Sequence, residues 1–186
     1  MAYTYRILTL NINGLASKNR HKMLEQFMRR HEADIVMLQE VTSKQHIVVK
    51  DYHIIDNIGT VGRGTAIITR KDLQMDGIKG IPWSKGLTAY YKNPCFINIY
   101  APSGTNKRTE REAFFNQDVI DLLPQNPTEI IMAGDLASRQ TTIVPDIATV
   151  VKHLKSWPEG CIWRMYGIRR SMPTPIHTIH QRAQLD

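Results

Sequence analysis

Several polar residues in this chain share one placement: each follows or closes a short apolar run. Asn11 and Asn13 follow Ile7-Leu8-Thr9-Leu10, and Gln39 and Glu40 follow Ile35-Val36-Met37-Leu38. Tyr100 closes Phe96-Ile97-Asn98-Ile99, and Asp135 follows Ile130-Ile131-Met132-Ala133-Gly134. Short continuous apolar runs bounded by turn formers read as buried strands. In layered α/β proteins ligands bind at strand ends. Carboxylates and carboxamides gathered there are hard oxygen donors of the kind that hold Mg²⁺. A single Asn after a strand ordinarily caps a turn, and a single Glu there is ordinarily solvated. The signal lies in the recurrence at successive strand ends.

The elements that must position these residues are legible in outline. Tyr5 to Asn11 reads as a strand ending at the Asn13-Gly14 turn. Ser17 can cap a helix in which Met23, Leu24, Phe27 and Met28 recur at helical spacing to about Arg30. Ile35 to Leu38 then reads as a strand buried on both faces. Short strands follow at Tyr52 to Ile55, Thr65 to Thr69, Leu87 to Tyr91 and Phe96 to Tyr100, the last two forming a hairpin around Lys92-Asn93-Pro94. Thr109-Glu110-Arg111-Glu112 has capping-box spacing ahead of an amphipathic helix that uses Ala113, Phe114, Val119, Ile120 and Leu123. Pro124 to Pro127 ends that helix, and Ile130 to Ala133 is a further buried strand. Ile143 to Leu154 is read as a helix with Pro145 in its first turn, and Trp157 to Gly160 as a turn. Helices interleaved with strands and broken by hairpins predict an α/β fold with mixed sheets and outer helices.

Composition sets the outer limits. The chain has 186 residues, enough for one domain with a substantial core. Lys and Arg number 24 against 17 Asp and Glu, a net charge of +7, which biases the chain toward polyanions such as nucleic acid. No run of about 20 apolar residues that could span a membrane is present, and the first residues lack a secretory pattern. Two cysteines, Cys95 and Cys161, lie far apart, which argues against a disulfide scaffold or a cysteine zinc site.

The motifs Leu10-Asn11-Ile12-Asn13-Gly14-Leu15, Asp34-Ile35-Val36-Met37-Leu38-Gln39-Glu40, Asn98-Ile99-Tyr100-Ala101-Pro102 and Gly134-Asp135 occur in this order. The chain resembles the endonuclease/exonuclease/phosphatase superfamily. Gly64-Thr65-Ala66-Ile67-Ile68, and the segment from Tyr100-Ala101-Pro102-Ser103-Gly104 to Arg111-Glu112-Ala113-Phe114-Phe115-Asn116, make it similar to the apurinic-type endonuclease domain of non-LTR (LINE-type) retrotransposons. The resemblance implies one domain over residues 1–186, well matched over 1–136 and divergent or truncated over 137–186. It implies a DNase I-like four-layer sandwich of two mixed β-sheets packed face to face with helices outside, atypical toward its C-terminus. The implied activity is Mg²⁺-dependent hydrolysis of a DNA phosphodiester bond, with Mn²⁺ as an alternative ion, cutting one strand of double-stranded target DNA to leave a 3′ hydroxyl. Glu40 would hold the metal with Asn11, and Asn13 would support the metal side. Asp135 would orient or activate the attacking water, and Tyr100 would donate a hydrogen bond to the phosphate. Lys107, Arg108 and Arg111 would line the DNA path. A reverse transcriptase domain of the same polyprotein is an implied partner, no membrane is involved, and the implied setting is intracellular and nuclear.

Three departures from the family pattern predict impaired catalysis. The family's Gly-Asp-(Phe or Leu)-Asn reads Gly134-Asp135-Leu136-Ala137 here, and losing one such transition-state donor costs about 10²–10³ in rate. No Ser-Asp-His motif occurs. The stretch His177 to Asp186 aligns with the preceding family strand, which makes Asp186 a candidate active-site carboxylate. Ser138 to Arg170 matches no family segment. Losing a final strand would leave a sheet edge open unless the region after Leu136 fills it. The alternative function is a catalytically silent DNA-binding or partner-binding relic. His177 and His180 have helical metal-pair spacing, but Pro173 and Pro175 favour an exposed tail.

Overall fold

The computed structural model describes residues 3–42, 48–59, 63–81, 85–91, 94–125, 129–135, 162–167 and 177–183. Along the chain run β1 (Tyr3–Asn11), α1 (Lys18–Arg30), β2 (Ile35–Val41), β3 (Tyr52–Asn57), β4 (Gly64–Arg70), β5 (Asp76–Gly80), β6 (Gly86–Tyr90) and β7 (Pro94–Tyr100). Then come α2 (Arg108–Ala113), α3 (Val119–Leu122), β8 (Glu129–Asp135), β9 (Ile162–Gly167) and β10 (His177–Ala183). The strands form two five-stranded sheets, β10-β1-β2-β4-β3 and β5-β6-β7-β8-β9. Both are mixed. β1 and β2 are parallel while β4 runs against β2. β7, β8 and β9 are mutually parallel while β6 runs against β7.

Alternation along the strands builds four layers. In β2 every residue is buried. Ile35 and Met37 face the second sheet, meeting Phe96, Ile131 and Ala133 between the sheets. Val36 and Leu38 point the other way, onto Leu24 and Met28 of α1. On the far side, Cys95, Ile97, Ile99, Ile130 and Met132 pack under Phe114, Phe115, Val119 and Leu122. A continuous apolar strand therefore marks an inner strand with partners on both faces. Ser17 caps α1 by accepting from the Arg20 amide at 3.3 Å, and Arg29 and Arg30 complement the dipole in its last turn. Among the described residues no helix is long and apolar enough to cross a membrane.

Three local expectations are corrected. Thr109 is not a cap: the helix starts at Arg108, following a 3₁₀ turn over Thr105–Lys107, so Thr109 already lies inside its first turn. Phe114–Asp118 forms a π-helical turn, whose extra residue rotates the buried face. Phe115 and Leu122 are consequently buried, Ile120 and Leu123 sit at the margin, and Ala113 is exposed. His177 and His180 lie not in an exposed tail but in β10, which pairs antiparallel with β1. Helical metal-pair spacing does not apply to a strand. β9 and β10 flank β8 and β1, so the chain after Leu136 supplies an edge strand to each sheet. Ile143 to Leu154, Trp157 to Gly160, Ala137 and Asp186 lie outside the described residues.

Candidate active site

Parallel pairing delivers the polar residues to one edge. β1 and β2 run together, with Asn11 opposite Gln39. β7 and β8 run together, with Tyr100 opposite Asp135. Ile7 and Thr9 lead in alternation to Asn11, Phe96 and Asn98 to Tyr100, and Ile131 and Ala133 to Asp135. The same two-residue period that fills the layer between the sheets thus aims these three side chains into its open end.

Glu40 is out of phase. Simple alternation would send it with Val36 and Leu38 toward α1. A register shift between Gln39 and Val41 on the β4 side, with Glu40 in left-handed backbone at φ 56°, turns it instead. The turn is pinned from β1's extension: the Ile12 amide donates to Gln39 O at 3.0 Å and the Gly14 amide to Glu40 O at 2.8 Å. Gly134 serves the second sheet in a similar way. A Cβ there would lie 1.9 Å from Ile99 O, so only glycine lets β8 pack against β7 beside Asp135.

The resulting constellation is compact. Asn11 Nδ2 donates to Glu40 Oε1 at 2.9 Å and to Asp135 Oδ2 at 3.0 Å, bridging the sheets. Tyr100 OH donates to Glu40 Oε1 at 3.2 Å. Asn11 Oδ1 accepts the Asn13 amide at 3.1 Å, so Asn13, itself exposed, meets the site through its backbone. Arg20 fixes that loop by donating to Asn13 O and Ile12 O. Asp135 is fully buried and Glu40 is 7% exposed. Glu40, Asn11, Tyr100, Asp135 and the Asn13 backbone are therefore brought together.

Beneath them lies a polar layer between the sheets. Gln39 Nε2 donates to Thr9 Oγ1 at 3.1 Å and to Asn98 Oδ1 at 2.6 Å. Asn98 Nδ2 donates to Leu38 O and Ala66 O, both at 2.8 Å. Asn98, on the second sheet, thereby holds backbone carbonyls of the first, immediately before the bulge that turns Glu40.

Lys107, Arg108 and Arg111 have partners in and just before the second helical segment. Lys107 Nζ bonds Glu110 at 2.9 Å, Arg108 Nε bonds Glu112 at 2.8 Å, and Arg111 reaches Pro102 O and Gly104 O at 3.4 Å. The two ion pairs are exposed, a setting in which such contacts contribute little and exchange readily. One cation that does reach the site, Arg63, was not foreseen. Its guanidinium ion-pairs with Glu40 Oε2. It immediately precedes β4, in the sequence Gly62-Arg63-Gly64, away from every strand end that drew attention.

Two buried carboxylates lie within reach of one another, and the Asn11 carboxamide between them turns its Nδ2 toward both, so an ion there would take the Asn11 oxygen only with that amide turned over. Such a carboxylate pair fits a hard divalent ion, which takes one or two carboxylates and keeps several waters. Glu40 and Asn11 would hold it, with Asp135 beside them. Among the described residues no group of three or more His, Cys, Asp or Glu side chains gathers.

The structure is similar to an AP endonuclease from Archaeoglobus fulgidus (TM-score 0.58, 16% identity, 85% of this chain and 65% of that one). It is similar to the 3′ phosphatase NExo (D146N) from Neisseria bound to a product DNA hairpin (TM-score 0.58, 18% identity, 70% of this chain and 57% of that one). It is also similar to D. rerio TDP2 complexed with a single-strand DNA product (TM-score 0.55, 18% identity, 80% of this chain and 65% of that one). The chain thus spans 57% to 65% of these proteins' lengths. No curated protein sequence matches it. Residues 8–136 match the sequence pattern of the Endonuclease/Exonuclease/phosphatase family, a span that contains Asn11, Glu40, Tyr100 and Asp135, and the chain belongs to that family.

Proposed function

We propose that the chain is a divalent-metal-dependent endonuclease domain that hydrolyses a phosphodiester bond in double-stranded DNA, of the kind that nicks target DNA in LINE-type retrotransposition. The observation that carries this reading is the bridge from Asn11 to both Glu40 and Asp135 at the edge where the sheets end together. DNA bound in the NExo and TDP2 structures supports DNA as the substrate class, and the net charge of +7 supports a polyanion. A nuclear setting and a reverse transcriptase domain as partner belong to the same reading.

Each residue has a task set by its chemistry. Glu40 and Asn11 hold Mg²⁺ or Mn²⁺, which when bound neutralises charge on the phosphate and the leaving oxygen. Asp135, fully buried and fixed by Asn11, orients the attacking water and accepts its proton. Tyr100 OH turns from Glu40 to donate to a phosphate oxygen. Asn13 braces Asn11 through its amide. Lys107, Arg108 and Arg111 exchange their carboxylate and carbonyl partners for phosphates along the DNA. Asp186, the remaining carboxylate of the reading, lies outside the described residues; β10 runs from His177 opposite Thr9 to Ala183 opposite Tyr3, so its last described residue is at the far end of β1 from Asn11.

The second reading, a silent binding domain, is favoured by Ala137, which offers no donor where the family has Asn. Relaxation of supercoiled plasmid separates the two. The nuclease reading predicts open circles in Mg²⁺, none in EDTA, and a loss of at least about 10²-fold in Glu40→Ala. A folded chain that shifts duplex DNA on a gel yet leaves the plasmid supercoiled in Mg²⁺ overturns it and supports the binding domain.

A further inference from the structure

Glu40 presents its two oxygens to different partners. Oε1 points inward and accepts from Asn11 Nδ2 and Tyr100 OH. Oε2 meets the guanidinium of Arg63. The Glu40 side chain is 9% exposed and that of Arg63 is 45% exposed. A carboxylate so deeply buried is costly without a positive partner. Arg63 supplies it from a half-solvated position, and it can return to water at little cost. The placement is built into the sheet. Val41 pairs with Gly64 across the bulge, which puts Arg63, the preceding residue, beside Glu40. Gly64 lies tight against the neighbouring strand, where a Cβ would meet Asn57 O at 2.3 Å, so this end of β4 is held closely.

We propose that Arg63 is a tethered counter-ion of the cation site. It occupies Glu40 when no divalent ion is bound, competes with that ion for Oε2, and so sets the affinity of the site. This rests on the nuclease reading only in that the site takes a divalent ion. Removing the guanidinium has two opposed consequences. Without metal, Glu40 loses its compensating charge and the fold is weakened. With metal, the competitor is gone and the ion binds more tightly. A residue that merely packs against the site would show the first effect without the second.

The test is Mn²⁺ binding, followed by the electron paramagnetic resonance signal of the free ion, on wild type, Arg63→Gln and Glu40→Gln. Arg63→Gln is expected to bind Mn²⁺ about fivefold more tightly than wild type, the scale of one half-exposed ion pair. Glu40→Gln is expected to lose the site. Thermal unfolding is expected to show Arg63→Gln below wild type in EDTA, with the gap closing at saturating Mn²⁺. Should Arg63→Gln not fold, Arg63→Lys carries the test: an ammonium grips the carboxylate less well than the planar fork, so Mn²⁺ affinity still rises. Wild-type binding with unchanged or weaker affinity in the Arg63 variant overturns the counter-ion role and leaves the nuclease reading standing. Binding by neither protein overturns both.

Discussion

Side chains reach this site by two routes, and they differ in how far the sequence reveals them. Asn11, Tyr100 and Asp135 lie in phase with the apolar residues between the sheets, so their types and positions sufficed to single them out. Glu40 was visible as a carboxylate after an apolar run, but its direction was not, because it depends on a bulge and a left-handed residue that no local pattern announces. Arg63 had no signal at all, since its partner is 23 residues earlier and adjacent only through strand pairing. Asn98 looked like one polar residue in an apolar strand. Its carboxamide in fact satisfies Leu38 O, Ala66 O and Gln39 at once. Asn98→Ala removes these bonds from a fully buried position and leaves two carbonyls without that donor, a loss of about 3 kcal/mol. Urea unfolding measures it, and a cost below about 1 kcal/mol would contradict the positioning role.

At the scale of elements, apolar periodicity located α1 and most of the strands. It failed where the element carries little of it. β5 is exposed at all five positions and forms a sheet edge, so no buried face marked it. β9 and β10 fall in chain that aligned with no family strand or only weakly. The second helical segment was found, but its π turn displaced the face that periodicity assigned. The start of that segment is tied down electrostatically. Lys85 Nζ bonds Glu110 at 2.5 Å and Lys107 Nζ bonds it at 2.9 Å. These ammonium groups, Lys85 foremost, hold the Glu110 carboxyl below its ordinary 4.5. Above that pH the group is ionised whether folded or unfolded, and its contribution is complete. As pH falls below 4.5 the unfolded chain takes up the proton first and the contribution is lost. Glu110→Gln is therefore expected to lower the Tm slightly at neutral pH and to flatten its fall on acidification. Tm profiles from neutral to strongly acidic pH that run parallel for the two proteins would contradict this.

For the whole molecule, the decisive fact is that neither sheet owns the site. Glu40 and Asn11 come from one sheet, Tyr100 and Asp135 from the other, and the apolar layer between them sets the spacing. The interleaved pattern of helices, inner strands and hairpins was enough to predict two packed mixed sheets with outer helices. The closing of the sheets by β9 and β10 was not legible, because β10 pairs with β1 across more than 160 residues and β9 with β8 across 33, and neither pairing leaves a local trace. The most direct measurement of the central claim is a crystal structure of the chain grown with Mn²⁺, with the ion located by its anomalous scattering. The account predicts one peak at the edge shared by the two sheets, beside Glu40 and Asp135, with Arg63 displaced from Glu40. A Glu40 still paired with Arg63 and no peak beside Asp135 would contradict it.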